Sequence, residues 1–247
     1  MCLILFGYRT NPEYPLVVAA NRDEFHGRES AAAGYWVDHP HVLAGRDLVA
    51  GGTWLGCTKS GRFAALTNFS DPNDGVAAKS RGLLVQDFLT GDDGAAHYAH
   101  HINGVDYAGF NLLLFDGQDM VYSSNKGTTD ILQPGFYGLS NAELGAQWPK
   151  CLHGAHGLEQ ILASKFDTAD LIGLLHNSDV PADEELPHRG RPVDFERRLA
   201  PCFIVGDEYG TRASTAFIMS EHSLQFTEQS YIRGGISADL VDFEFDL

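Results

Sequence analysis

Cys2 is the residue of this 247-residue chain whose position carries the most chemistry. An initiator Met before a small side chain is commonly trimmed, and trimming Met1 leaves Cys2 with a free α-amine. Nucleophile and base then share one residue, because an α-amine titrates at about 7.7–8.0 and accepts a thiol proton near neutral pH. The plainer reading is a buried strand cysteine, since free Cys is among the most buried residue types. A second group is Asn21-Arg22-Asp23-Glu24, four polar residues directly behind the apolar run Val17-Val18-Ala19-Ala20. A carboxylate there can hold and orient an ammonium, and an adjacent guanidinium draws a thiol toward thiolate. Asn21, Arg22 and Glu24 are candidate ligand-binding groups; the plainer reading of the block is a solvated charged turn. Asn68 and Asn141 close the apolar runs 63–67 and 137–140, and Arg212 stands near the start of the run 211–219. Asn side chains are suited to donate to an oxyanion, although Asn is also a common turn residue.

The histidines form a different pattern. His97, His100 and His101 share one face of an expected helix, as do His153 and His156, and His39 and His41 flank Pro40. Such spacing can hold a metal or haem iron. No H-E-x-x-H or zinc-type Cys/His spacing occurs, so solvated helix faces and no metal site are expected. Cys2, Cys57, Cys151 and Cys202 form no C-x-x-C pair and no C-x-x-C-H. That argues against a disulfide scaffold and excludes covalent haem attachment. Gly51-Gly52 is no phosphate loop, because no Gly-Lys-Ser/Thr follows; close strand packing is the expected reason for the pair.

Residues 2–8 and 16–20 are apolar runs joined by the turn-rich Asn11-Pro12-Glu13-Tyr14-Pro15, which predicts an antiparallel hairpin. Its second strand runs back toward the start of the first and delivers Asp23 close to residue 2. Residues 25–40 read as loop, followed by a short strand at 42–45 and a hairpin of 53–57 with 63–68. Ser80 is the expected cap of a helix reaching Thr90, and a second helix covers 93–102. Another hairpin pairs 110–115 with 120–124. Trp148-Pro149 opens a helix, with further helical signals through Leu162 and from 169 to 175. Residues 181–192 read as a surface loop, and strands at 202–205, 211–219 and 224–231 close the chain. With no linker or repeat, residues 1–247 read as a single α+β domain of two mostly antiparallel sheets with helices outside them.

Composition bounds the function classes. With 44% apolar residues there is enough surface to offset chain entropy, so disorder is excluded. Lys and Arg number 17 against 33 Asp and Glu, a net charge of −16. A surface that acidic repels phosphate backbones, so no nucleic-acid partner is expected. No apolar run approaches the roughly 18 residues that span a bilayer, and the first residues lack the basic start of a signal peptide. A cytoplasmic protein without a transmembrane segment is the expectation.

Met1-Cys2, Ala20-Asn21-Arg22-Asp23-Glu24, Gly51-Gly52-Thr53-Trp54-Leu55-Gly56, Leu139-Ser140-Asn141 and Tyr209-Gly210-Thr211-Arg212 together resemble the NRDE family, the family of the transport and Golgi organisation protein 2. The resemblance covers nearly the whole chain. That family in turn resembles N-terminal nucleophile hydrolases of the choloylglycine hydrolase and penicillin V acylase group. The implied fold is a four-layer αββα sandwich. By the same resemblance Cys2 matches the nucleophile, Asp23 the carboxylate beside its α-amine, and Arg22 a nearby guanidinium. Asn68 or Asn141 matches the oxyanion Asn, and Arg212 the later active-site Arg.

Two function readings follow. In one, Cys2 attacks the amide or thioester carbonyl of a small acyl substrate, and no cofactor is required. In the other, which rests on the family's association with haem trafficking and lipid handling, the same residues bind haem or acyl-CoA without chemistry. Arg22 or Arg212 then holds the ligand's carboxylates or phosphates.

Overall fold

Short apolar runs bounded by turns form the central strands, and successive side chains of each run point to opposite faces of its sheet. In the computed structural model, which describes residues 2–71, 75, 77–187 and 191–247, two antiparallel sheets are each backed by helices, and the chain divides into two compact units. The first unit takes in residues 1–28, 134–140 and 144–244. It carries β1 (Cys2–Asn11), β2 (Tyr14–Phe25), β10 (Gly135–Leu139), β11 (Tyr209–Met219), β12 (Ser223–Ile232) and most of β13 (Ile236–Asp246), in the sheet order β10-β1-β2-β11-β12-β13. Leu3, Leu5, Val17, Ala19, Ala216 and Ile218 point from alternate positions to one face. There they pack against Cys151, Leu158 and Leu162 of α3 (Pro149–Leu162) and Leu171 of α4 (Thr168–Leu174). Ile4, Phe6 and Val18, on the opposite face, are buried as well, so both faces of this sheet are covered.

The second unit comprises residues 29–133, 141–143 and 245–247. Its seven strands run β3 (Ser30–Tyr35), β4 (Val42–Asp47), β5 (Leu55–Thr58), β6 (Phe63–Asn68), β7 (Phe110–Phe115), β8 (Met120–Ser124) and β9 (Thr129–Ile131), in sequence order across the sheet. Val42, Ala44, Ala64, Leu66, Leu112, Leu114 and Val121 form the face that packs on α1 (Gly82–Thr90) and α2 (Ala95–His101).

The hairpin of β1 and β2 has the expected register, with Cys2 opposite Arg22 and Leu3 opposite Asn21. Several expectations need correction. The polar block does not follow β2 but lies inside it, because the strand continues to Phe25 with β11 as its second neighbour. The expected 25–40 loop contains β3, whose Ser-Ala-Ala-Ala-Gly-Tyr sequence is a weak strand former held by pairing with β4. Ser80 does not cap α1; Arg81 holds that position and no side chain caps it. Residues 202–205 are not a strand, and α5 (Val193–Leu199) and β13 lie where no element was expected. Part of the expected 181–192 loop, residues 188–190, lies outside the described residues.

Gly51 and Gly52 owe their identity to backbone conformation rather than to strand packing. Both have positive φ, near +71° and +73°, where a side chain is strained. At Gly52 the chain also touches the start of α1, and a Cβ there would come within 2.5 Å of the Gly82 carbonyl.

Candidate active site

The site of the first unit is built on β2, which sits between β1 and β11. Pairing with β1 sets Cys2 opposite Arg22, and pairing with β11 sets Thr211 opposite Asp23. The β11 register then slips, so that Ala213 faces Arg22 and Arg212 is the extra residue of a bulge. The antiparallel ladder thus brings Cys2, Arg22, Asp23, Thr211 and Arg212 together from three stretches of sequence.

Cys2 is held at two points. The Ser140 hydroxyl donates to its backbone carbonyl at 2.8 Å, and its strand is paired with β2, where Arg22 stands opposite it. Burial pushes the thiol above its ordinary range, and the neighbouring Asp23 charge adds to this, while the Asp23 amide and Arg22 act the other way. Asp23 is 3% exposed. Its Oδ1 accepts from the Thr211 hydroxyl at 2.7 Å, and its backbone carbonyl accepts from the Tyr209 hydroxyl at 3.1 Å. Burial raises the Asp23 carboxyl above the usual carboxylate value; among side chains Lys150, Thr211 and Arg22 oppose the rise. Lys150 is itself buried, its ammonium donating to the Leu199 carbonyl at 3.0 Å.

The guanidinium groups have divided tasks. Arg22 approaches Glu24 at 4.0 Å, and Arg28 approaches the same carboxylate at 3.9 Å. Nη1 of Arg212 donates to the carbonyls of Phe25 and Arg28 at 2.9 and 3.1 Å, bracing the turn behind β2. Asn21 is fully buried and its amide donates to the carbonyls of Leu175 and Cys202, at 3.1 and 2.8 Å. Its carbonyl accepts from Ser214 at 2.5 Å. Asn21 therefore ties β2 to the end of α4 and to the chain before β11.

Asn68 and Asn141 both belong to the second unit and meet there. The Asn141 amide donates to the Asn68 backbone carbonyl at 2.7 Å, and the Ser70 N–H donates to the Asn141 carbonyl at 2.8 Å. Asn141 is buried and the Asn68 residue is exposed at the end of β6. A groove of about 510 Å³ in the same unit, lined by His100, Tyr107, Phe110, Ser123 and Lys126 among others, contains none of the expected site residues. Within it the Ser123 hydroxyl bonds that of Thr129 and the Lys126 ammonium bonds Asp71. Among the described residues no group of three or more His, Cys, Asp or Glu side chains could hold a metal ion. The four cysteines form no disulfide.

Sequence reasoning passed over Ser140, Thr211, Tyr209 and Lys150. Three of these stood in quoted blocks: Ser140 precedes Asn141, and Tyr209 and Thr211 flank Gly210 just before Arg212. A hydroxyl that holds a carboxylate carries no sequence signal of its own, since its meaning comes from the strand opposite.

A profile of the transport and Golgi organisation 2 family matches residues 1–233. The chain belongs to that family. The Bos taurus transport and Golgi organization protein 2 homolog is 36% identical over 260 residues, with 94% of each chain covered. The Homo sapiens homolog is 34% identical over 264 residues, covering 96% of this chain and 95% of the human one. Among solved structures, the Caenorhabditis elegans ortholog of N-acylethanolamine-hydrolyzing acid amidase is similar with a TM-score of 0.53 at 10% identity, covering 88% of this chain and 92% of that one. That likeness shows the fold: this member of the transport and Golgi organisation 2 family has the α+β fold class of the N-terminal nucleophile hydrolases, the αββα class expected from the sequence.

Proposed function

We propose that the protein is an N-terminal-cysteine hydrolase acting on an amide or thioester bond of a small acyl substrate. The observation that carries this reading is the placement of Asp23 next to the Cys2–Arg22 pair of the β1–β2 ladder, with the Thr211 hydroxyl holding its carboxylate. Once Met1 is removed, the Cys2 α-amine takes the thiol proton. The thiolate attacks the carbonyl carbon and the carbonyl electron pair moves to oxygen. The ammonium then gives its proton to the leaving amine or thiol as the bond to it breaks. Water, deprotonated by the same amine, releases the acyl group from sulfur. Asp23 orients the amine through these proton transfers. The oxyanion donor, Asn68 or Asn141, enters on the family resemblance alone. A hydrogen bond to a developing oxyanion is worth about 3 kcal/mol.

The carrier reading has one observation in its favour, the guanidinium groups of Arg22 and Arg28 gathered about the Glu24 carboxylate, with Arg212 near enough to Arg22 to feel its charge, in a chain of net charge −16. They suit the carboxylates of haem or the phosphates of acyl-CoA. Of these, Arg22 is the better anion partner, because Nη1 of Arg212 is already spent on backbone carbonyls.

Cys2→Ala separates the two readings. Acyl release from a panel of N-acyl amides and acyl thioesters should fall by several orders of magnitude in the variant, since nucleophile and base act as a unit. Binding of haem and acyl-CoA should change little. Wild-type turnover that survives Cys2→Ala unchanged removes Cys2 from the mechanism. Absent turnover, with ligand binding lost in Arg22→Ala, selects the carrier.

A further inference from the structure

The hydrogen bonds around Thr211 have only one consistent direction. Thr211 is fully buried. Its hydroxyl oxygen accepts from the Ile204 backbone N–H at 2.9 Å, and its own backbone N–H donates to the Ile204 carbonyl at 2.9 Å. A threonine hydroxyl has one proton to give. Oδ1 of Asp23, 2.7 Å away, is the acceptor that takes it. The bulge at Arg212 keeps this pair aligned, because it leaves Thr211 directly opposite Asp23 while the next paired residue, Ala213, moves on to Arg22. Two residues earlier on the same strand, the Tyr209 hydroxyl holds the Asp23 carbonyl. Asp23 is therefore gripped at its side chain and its main chain by one segment of β11.

We propose that Thr211 is the positioning residue of this site, its hydroxyl turned by the Ile204 backbone so that it delivers a hydrogen bond to the Asp23 carboxylate. The role rests on the hydrolase reading above only where it concerns turnover; the hydrogen bond itself does not depend on it. Thr211 acts through Asp23. The bond holds the carboxylate in one rotamer and favours its charged form, which the orientation of an ammonium requires. Valine has nearly the shape of threonine but neither donates nor accepts, so Thr211→Val removes the bond and leaves the Ile204 N–H without its partner. Thr211→Ser keeps the hydroxyl.

The test is a carboxyl titration of the full chain with ¹³C-labelled aspartate, the Asp23 signal being assigned by its loss in Asp23→Asn. Loss of a hydrogen bond to a charged group corresponds to about one pH unit in the midpoint. The Asp23 midpoint should rise by about that much in Thr211→Val and return to the wild-type value in Thr211→Ser. Thr211→Cys, with a much weaker donor in a similar volume, should also raise it, and serves if the valine variant does not fold. A midpoint unmoved in the valine or cysteine variant overturns the proposal, even if that variant is less stable. Where the wild type turns over an acyl substrate, kcat should fall roughly tenfold in Thr211→Val with KM unchanged; an unchanged kcat also overturns it. Failure of the wild type to hydrolyse any amide or thioester contradicts the hydrolase reading instead, and leaves the titration to decide the role of Thr211.

Discussion

Asp23 shows how far a residue's surroundings can be separated from its sequence position. The carboxylate follows an arginine and precedes a glutamate, a context that reads as a wet charged turn, yet it is 3% exposed and sits inside a strand. Burial raises its carboxyl above the ordinary value of about 4 found in an unfolded chain. Between the unfolded and native midpoints the native state binds more protons, so stability falls as pH rises through that window. Asp23 thus contributes most to stability below about pH 4 and loses that contribution as the native carboxyl ionises. Asp23→Asn removes this dependence. Urea denaturation across pH should show the wild type losing stability relative to the variant as pH rises; a difference constant with pH contradicts the burial argument. That Asp23 lies close to Cys2 was legible in the hairpin pattern. The Thr211 hydroxyl that holds it was not, because partners across a ladder leave no trace in local sequence.

Elements were most legible where apolar residues run without interruption between turn-rich segments. The pairing of β1 with β2 and of β7 with β8 has the expected partners, since each is a short apolar run sharply bounded by turn residues. Legibility failed where polar or small residues form a strand. Asn21 is the clearest case: a buried amide inside β2 is tolerated because Leu175, Cys202 and Ser214 meet its polar atoms. β3 is a strand only because β4 supplies its hydrogen bonds. The glycine pair before β5 tests the same point. Gly51→Ala meets open space and incurs only the cost of positive φ, about 1 kcal/mol. Gly52→Ala adds contact with the Gly82 backbone at 2.5 Å and should cost clearly more, about 3 kcal/mol. Denaturant midpoints of the two variants check this; equal losses contradict the close approach of Gly52 to α1.

For the whole molecule, family and fold class were readable because motifs spread along nearly the entire chain agree with one another. Among the described residues no helix is long and apolar enough to cross a membrane. The net charge of −16 has a consequence of its own. Like charges repel one another more strongly in the compact state than in the unfolded chain. Raising ionic strength from about 0.01 M to about 0.15 M shortens the screening length from roughly 30 to 8 Å. Tm in a scanning calorimeter should rise over that range. A Tm that falls shows that specific ion pairs, such as Arg46 with Asp38 at 2.7 Å, outweigh the general repulsion.

The claim on which the account turns is that Cys2, with its α-amine freed, carries the acyl group. Acid-quenched intact mass spectrometry during turnover of an acyl thioester addresses it directly, followed by mapping of the N-terminal peptide. The expected result is a chain lacking Met1, with the acyl group on Cys2 during turnover and absent once substrate is exhausted. Turnover by a chain that retains Met1, or with no acyl group on Cys2 at any time, would contradict it.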